Sequence, residues 1–219
     1  LDGIGQALQT LKAADKAIQA ITSLVTQAKA LANNALENVS VSATVLKNAT
    51  DFNLVMAQID AAVNDASYKG VNLLKATPDN LIATFNEDGT SKLTVTGVNS
   101  TYSGLGITTA DGTVNTTGGT GSWGGLTGIN ISLSLVTNAL TTLRTTASSF
   151  GTSSAIIQTR EDFAKNLITT LKAGADKLTL ADMNEEAANM LALQTQRQMG
   201  TNSLSMASQA AQSVLQMFR

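Results

Sequence analysis

A heptad repeat near the start of the chain restricts the fold more than any other feature. Apolar residues fill every a and d position over five heptads, and the charged residues of this segment lie at other heptad positions. This 3.5-residue period is typical of a long helix that packs along a seam with another helix. An ordinary amphipathic helix on a core is the simpler alternative, but the length and regularity favour a seam. The a positions are Ile4, Leu11, Ile18, Val25 and Ala32, and the d positions are Ala7, Ala14, Ile21, Ala28 and Ala35. We predict a rod seam on Ile4, Leu11, Ile18, Ile21 and Val25.

A second helix is predicted over about residues 42–67, because apolar side chains there recur at steps of three and four. We place Asn48 and Asp51 on its solvent-facing side. Gly70 follows the helix, and we interpret it as a C-cap with positive φ. The apolar positions are Val45, Phe52, Val55, Ile59, Ala62 and Ala66.

The middle of the chain has β-strand and loop character. Residues 81–86 and 93–96 are β-prone and flank a short turn that contains Asp88-Gly89, which predicts a hairpin. Ten of the 17 glycines then fall between Gly97 and Gly128, in a tract that also holds the single tryptophan, Trp123. The order Gly-Lys-Ser/Thr of a phosphate-binding loop is absent. We interpret this tract as a flexible linker or a small outer module of short strands and loops.

Helical periodicity returns at about Ile131, with a break or bend predicted at residues 150–154 and a further long helix from residue 179. From Ala187 to the end there is no acidic residue, and Arg197 and Arg219 are the only charged ones. A helix this apolar requires a partner, and we predict that its apolar face serves assembly. The predicted assembly residues are Leu191, Leu204, Ala207, Ala211, Val214, Leu215 and Phe218.

The absence of histidine and cysteine excludes many kinds of chemistry. No Ser-His-Asp triad, thiolate nucleophile, disulfide or thiolate zinc site can form. The adjacent Glu161 and Asp162 point apart on a helix, and the spacing of Asp60 and Asp65 is poor for a shared face. We therefore predict no enzyme activity, no catalytic residue, no cofactor and no metal. The net charge of −2 and the lack of a long uncharged apolar run also predict no nucleic-acid partner and no membrane span.

Taken together, these patterns predict a mainly α fold: a long antiparallel helical rod, coiled-coil-like, with a small β-hairpin-containing, Gly/Thr-rich insert. We expect residues 1–75 to form the N-terminal half of the rod and residues 131–178 its C-terminal half. Residues 76–130 are expected to form the outer insert, and residues 179–219 a separate C-terminal helix.

The last forty residues resemble the C-terminal region of bacterial flagellins, of the alphaproteobacterial type. The similarity lies in Ala181–Met190, in Gln196–Leu204 and in the ending Ser208–Arg219. The first helix is similar to the flagellin rod helix, and Ala66–Leu74 resembles the segment that leads into the family's β-hairpin. The resemblance covers nearly the whole chain outside residues 97–130.

This resemblance implies a structural subunit of the extracellular flagellar filament, which polymerises through its helical terminal regions for swimming motility. It implies other flagellin subunits, filament cap proteins and hook-junction proteins as partners. An export chaperone would bind the C-terminal helix, roughly residues 187–219, in the cytoplasm before type III export. Because the chain begins at Leu1 within a helical seam, we expect that the N-terminal segment that pairs with the last helix is absent.

Two alternative functions stay open at the level of the sequence. One is a surface-exposed, glycan-binding adhesive module in which the Trp123 ring stacks on a sugar. The other is a hook-filament junction protein, which shares the helical ends. Lys29 and Ala30 stand where flagellins that activate an innate immune receptor have Arg followed by Glu, so we expect no activation.

Overall fold

The computed structural model describes residues 2–86, 88–111 and 121–217, without the side chains of residues 180–182. Leu1, Glu87 in the predicted hairpin turn, and Phe218 of the predicted assembly face lie outside the described residues. The elements are two helices, a two-stranded antiparallel sheet and a third helix of 92 residues. Contacts divide the chain into two compact units, Leu1–Ala164 and Lys165–Arg219.

Helices α1 (Asp2–Glu37) and α2 (Ser42–Asp65) form a hairpin through the short turn that follows Glu37. All ten predicted a and d residues of α1 are buried, as their period requires. Near the closed end of the hairpin, the side-chain amide of Asn48 donates a 2.7 Å hydrogen bond to Asn34 Oδ1. The prediction that Asn48 faces solvent is therefore wrong, because it links the two helices and is buried. Asp51, half-exposed, accepts a hydrogen bond from Lys47 one helical turn earlier.

After α2 the chain makes a tight two-residue turn rather than a glycine cap. Lys69 (φ 50°) and Gly70 (φ 84°) occupy the corner, and Tyr68 and Val71 exchange two backbone hydrogen bonds of 3.0 Å. Ala66 is the residue that caps α2. Gly70 thus has the predicted positive φ but the predicted capping role is wrong, since α2 ends at Asp65, five residues earlier, and the turn determines the backbone angle of Gly70.

Asn72 ties this turn to the end of α2. Its side-chain amide donates to Val63 O at 2.7 Å, and its side-chain oxygen accepts from the backbone N–H groups of Leu74 (2.8 Å) and Lys75 (3.1 Å). Asn72 is buried, so these bonds replace those that water would have supplied. The loop therefore has a fixed path toward the sheet.

Strands β1 (Leu81–Thr84) and β2 (Lys92–Val95) pair antiparallel, with Leu81 opposite Val95 and Thr84 opposite Lys92. This confirms the predicted hairpin. Alternate residues of the sheet are buried, and the buried face of β1 packs against α1. The outer half of the sheet is exposed, as period-2 alternation predicts.

The described residues of the glycine-rich tract are packed into the core rather than loosely connected. Leu105, Ile107 and Ala110 are buried there, together with Trp123. The flexible-linker interpretation is therefore wrong for residues 97–111 and 121–125. Gly97 shows why glycine is needed at one point, because a Cβ there would come within 2.6 Å of Pro78 Cβ and 2.8 Å of Leu73 O.

Helix α3 (Leu126–Met217) begins before the predicted Ile131 and has no break at residues 150–154. Ile129 is fully buried and anchors the first turns, and Phe150 is buried at the predicted break. The hydroxyls of Thr152 and Ser153 bond the carbonyls four residues back, at 3.0 Å each, and leave the helical backbone in place. Packing thus outweighs the weak helix propensity of this Gly/Ser/Thr stretch.

The hydrophobic core of the first unit combines α1, α2, the hairpin, the tract and the early part of α3. This confirms the prediction of a mainly α fold with a small β-hairpin. The finer division into rod halves, insert and separate terminal helix stays a prediction.

Candidate assembly surface

The second unit is a helix whose described side chains, from Lys165 to Met217, are all exposed. Large apolar residues are exposed there along its whole length, including Leu171, Leu178 and Leu193. In most soluble chains such residues are covered, and a continuous exposed apolar surface marks an interaction site. The second unit is therefore the candidate functional site.

The predicted assembly residues lie on this exposed helix. Leu204 is 75% exposed, Leu215 72% and Leu191 69%, while Val214 is 53% exposed. Their spacing of three, four and seven residues places Leu204, Ala207, Ala211, Val214 and Leu215 on one face. Phe218, the seventh predicted residue, lies outside the described residues.

Few charges accompany this face. Between Ala187 and Met217 the one charged side chain is that of Arg197. Amides and hydroxyls supply the rest of the polar surface, at positions 194, 196, 198, 202, 209 and 212 among others. A helix face of this composition loses little solvation free energy when a second apolar surface covers it, because no charge is buried.

The predicted rod-seam residues have the opposite environment. Ile4, Leu11, Ile18, Ile21 and Val25 are at most 3% exposed and belong to the core of the first unit. Within the described residues, the sequence-predicted sites thus fall into two groups, one covered inside the chain and one open to partners. The first group supports the fold, and the second is available for association.

The sequence patterns did not identify two polar residues of α2 that make structural contacts with the glycine-rich tract. Asn53 exchanges hydrogen bonds of 2.8 and 2.7 Å with the backbone of Ala110, and Asp60 Oδ1 accepts from the Tyr102 N–H at 3.1 Å. They hold the glycine-rich tract against α2. No sequence signal identifies them, because their partners lie more than forty residues away.

Trp123 is 1% exposed, and its ring lies 4.9 Å from that of Phe52. Its indole Nε1–H donates a 2.9 Å hydrogen bond to Ser132 Oγ. A sugar cannot stack on a ring that is covered on both faces and satisfied at its polar atom. The glycan-binding alternative requires an exposed tryptophan ring, and the prediction that Trp123 supplies one is therefore wrong.

Titratable groups offer little chemistry in the part of the chain that the structure describes. No group of three or more metal-ligating side chains comes together in those residues. Asp79 has its pKa lowered, first by the hydrogen bond from the Lys75 side chain and then by the Asn72 backbone N–H. Asp79 lies on the exterior beside its lysine partner, which is the arrangement of a surface ion pair and not of a catalytic acid.

One helix among the described residues, Leu126–Met217, passes a membrane-span test of length and composition. Its best 18-residue window has a mean hydropathy of 1.2, and 39% of that window is buried inside the protein. A single window of this kind is weak evidence, because core helices of proteins in water share it.

Comparison with known proteins identifies the architecture. The crystal structure of Bacillus cereus flagellin aligns with a TM-score of 0.60 at 14% sequence identity, over 74% of this chain and 86% of that one. The chain is thus a predominantly helical protein with a small β-hairpin, of the fold found in that structure.

Sequence similarity identifies the family. Flagellin FljM of Caulobacter vibrioides is 32% identical in an alignment over 220 residues that covers all of this chain and 76% of FljM. A flagellin of Brucella melitensis is 30% identical over 176 residues, covering 78% of this chain and 61% of the relative. Residues 133–218 match the family model of the bacterial flagellin C-terminal helical region. The chain belongs to the flagellin family.

Membership defines the general role. Flagellins are structural proteins, and the chain is a subunit of the flagellar filament, which lies outside the cell. Its association partners include other flagellin subunits.

Proposed function

We propose that the chain polymerises into the filament for swimming motility through its helical regions, with the exposed face at Leu191, Leu204, Ala207, Ala211, Val214 and Leu215 as a subunit contact. One observation carries this proposal: every described side chain from residue 165 to 217 is exposed, including the large apolar ones. In this proposal residues 1–75 and 131–178 form the rod, residues 76–130 the outward insert, and residues 179–219 the filament core.

A helix of this kind gains most of its stability from tertiary packing of its apolar face and less from helix propensity. Contacts that join different surfaces of successive copies produce an open filament when the rotation between copies does not close a ring. Small aliphatic side chains such as Ala207 and Ala211 favour close approach of neighbouring helices.

Charge on the proposed face should block assembly without unfolding the subunit. For the complete gene product with Leu204→Glu, we expect the critical concentration for seeded polymerisation to rise at least about tenfold, because assembly would bury an unpaired carboxylate. Leu204 is exposed in the 219-residue chain, so the unfolding midpoint of that chain as a monomer should stay unchanged. Light scattering and electron microscopy measure assembly, and circular dichroism measures monomer stability.

Gln209→Glu is the matched control, since it adds the same charge to an exposed polar position of the same helix. We expect it to polymerise nearly as the unchanged chain does. Equal polymerisation of the two variants would contradict the proposed face. A lowered unfolding midpoint in Leu204→Glu alone would show that this residue stabilises the monomer instead.

Before assembly, the same helix requires cover in the cytoplasm. We propose that an export chaperone covers roughly residues 187–219 in a hydrophobic groove, the recognition mode used for amphipathic helices. Filament cap and hook-junction proteins are further proposed partners of the assembled subunit. The scarcity of charge between Ala187 and Met217 supports recognition by shape and apolar contact.

Chaperone binding should depend on this segment. In calorimetric titration with the flagellar export chaperone of the same organism, we expect deletion of residues 187–219 to abolish binding. Leu204→Glu should weaken binding about tenfold or more, because an unpaired carboxylate would lose its water in the groove. Gln209→Glu should weaken binding only a little. Equal affinity for the deleted and complete chains would overturn this proposal.

A further inference from the structure

Methionine is distributed very unevenly between the two units. The chain has six methionines, and five of them lie in the exposed helix of the second unit. These five side chains are 59–86% exposed, whereas Met56 in α2 is 1% exposed and belongs to the core. The five are Met183, Met190, Met199, Met206 and Met217.

The exposed thioethers are also the most accessible oxidisable groups of the described chain. The sequence holds no cysteine, so no thiol competes for an oxidant. The single tryptophan, Trp123, is buried. Methionine is readily oxidised to the sulfoxide where solvent reaches the sulfur, and enzymes can reverse the reaction.

We propose that these five methionines form a reversible modification site, at which oxidation of the unassembled subunit by hydrogen peroxide prevents its polymerisation. The effect on polymerisation rests on the proposed function. In the reaction, the thioether sulfur attacks one oxygen of the peroxide, an S–O bond forms and the O–O bond breaks. The sulfur loses two electrons, and the second oxygen leaves as water after taking up the protons of the peroxide.

The positions of these residues explain the expected effect. Met190 lies two heptads before Leu204, which places both on the same side of the helix, while Met199 and Met206 are one heptad apart on another side. Flexible thioethers suit close but irregular helix packing. A sulfoxide adds a strong polar oxygen, and at Met190, on the side of Leu204, this oxygen would lose its water on assembly, so oxidation opposes polymerisation.

The test treats the unassembled complete gene product with hydrogen peroxide and maps oxidation by peptide mass spectrometry. We expect the five exposed methionines to gain one oxygen each, and Met56 to react only after denaturant unfolds the chain. Seeded polymerisation of the oxidised subunit should need at least about a tenfold higher concentration. Treatment with methionine sulfoxide reductases for both epimers should restore it.

A non-oxidisable variant provides the control, since leucine conserves volume and polarity. With leucine at all five positions, peroxide should leave polymerisation unchanged. Oxidation of folded Met56 as fast as the other five would overturn the proposed site. Unchanged polymerisation of fully oxidised subunits would overturn the proposed effect of oxidation on polymerisation, as would equal inhibition of the leucine variant by peroxide.

If the leucine variant itself polymerises poorly, treatment of the oxidised native chain with the reductases decides, and absence of rescue overturns the proposal. Failure of untreated subunits to polymerise would instead contradict the proposed function, while the oxidation map would still test the site. The combined substitutions are Met183→Leu, Met190→Leu, Met199→Leu, Met206→Leu and Met217→Leu.

Discussion

Gly128→Ala is expected to lower the free energy of unfolding of the first unit by about 3 kcal/mol or more, the upper range for overpacking. Gly128 lies in the first turn of α3. A Cβ at this position would overlap the carbonyl oxygen of Ser122 and lie 2.6 Å from its carbonyl carbon. These are backbone atoms, which cannot rotate away as the end of a side chain can. The segment at Ser122 or the start of α3 would therefore have to shift.

Gly151→Ala is the matched control because it makes the same substitution in the same helix. Nothing lies within 4 Å of a Cβ at position 151, and the position is exposed. Alanine should stabilise the helix there by up to about 1 kcal/mol, owing to its better propensity. Urea unfolding followed by far-UV circular dichroism measures both variants. Destabilisation by the two substitutions to the same extent would contradict the close approach at Gly128.

The parts of the fold that local patterns determine were predictable from the sequence. The heptads of α1 are buried as predicted because one helix face has one environment throughout its length. The hairpin followed from an Asp-Gly turn between β-prone runs, and the register Leu81 to Val95 places that turn at its end. In each case the signal lies within a few residues of the structure that it specifies.

The errors arose where contacts between distant residues decide the structure. Gly, Ser and Thr at residues 150–154 indicated a helix break, but the buried ring of Phe150 holds the helix in place. Asn48 was assigned to solvent because of its polarity, yet Asn34 offers it a partner inside the helical hairpin. Residue type alone does not specify such partners.

The candidate assembly surface was predictable for a different reason. An apolar helix face with no acidic side chain after Ala187 indicated a surface that needs a partner, and the structure leaves its described part exposed. The sequence shows which residues are methionines, but not that Met56 is covered while the other five are open to solvent. Only the tertiary contacts of α2 reveal that contrast.

Trp123→Ala is expected to lower the free energy of unfolding of the first unit by about 3–5 kcal/mol. The substitution removes the largest buried side chain of the described core and its contact with Phe52, whose ring centroid lies 4.9 Å away. It also removes the indole N–H that donates to Ser132 Oγ, a buried atom that would lose its partner. Cavity formation and loss of the hydrogen bond therefore act in the same direction.

Trp123→Phe separates the two contributions. Phenylalanine retains a ring against Phe52 but has no donor for Ser132, so we expect the free energy of unfolding to fall by an intermediate amount, about 1–3 kcal/mol.

Because the chain has a single tryptophan, its fluorescence in the unchanged chain also reports directly on this site. Urea unfolding by circular dichroism compares the variants, and polysaccharide titration should leave the native emission unchanged. An unaltered unfolding midpoint in Trp123→Ala, combined with quenching by a polysaccharide, would mean that the ring is open to solvent and available to bind sugars.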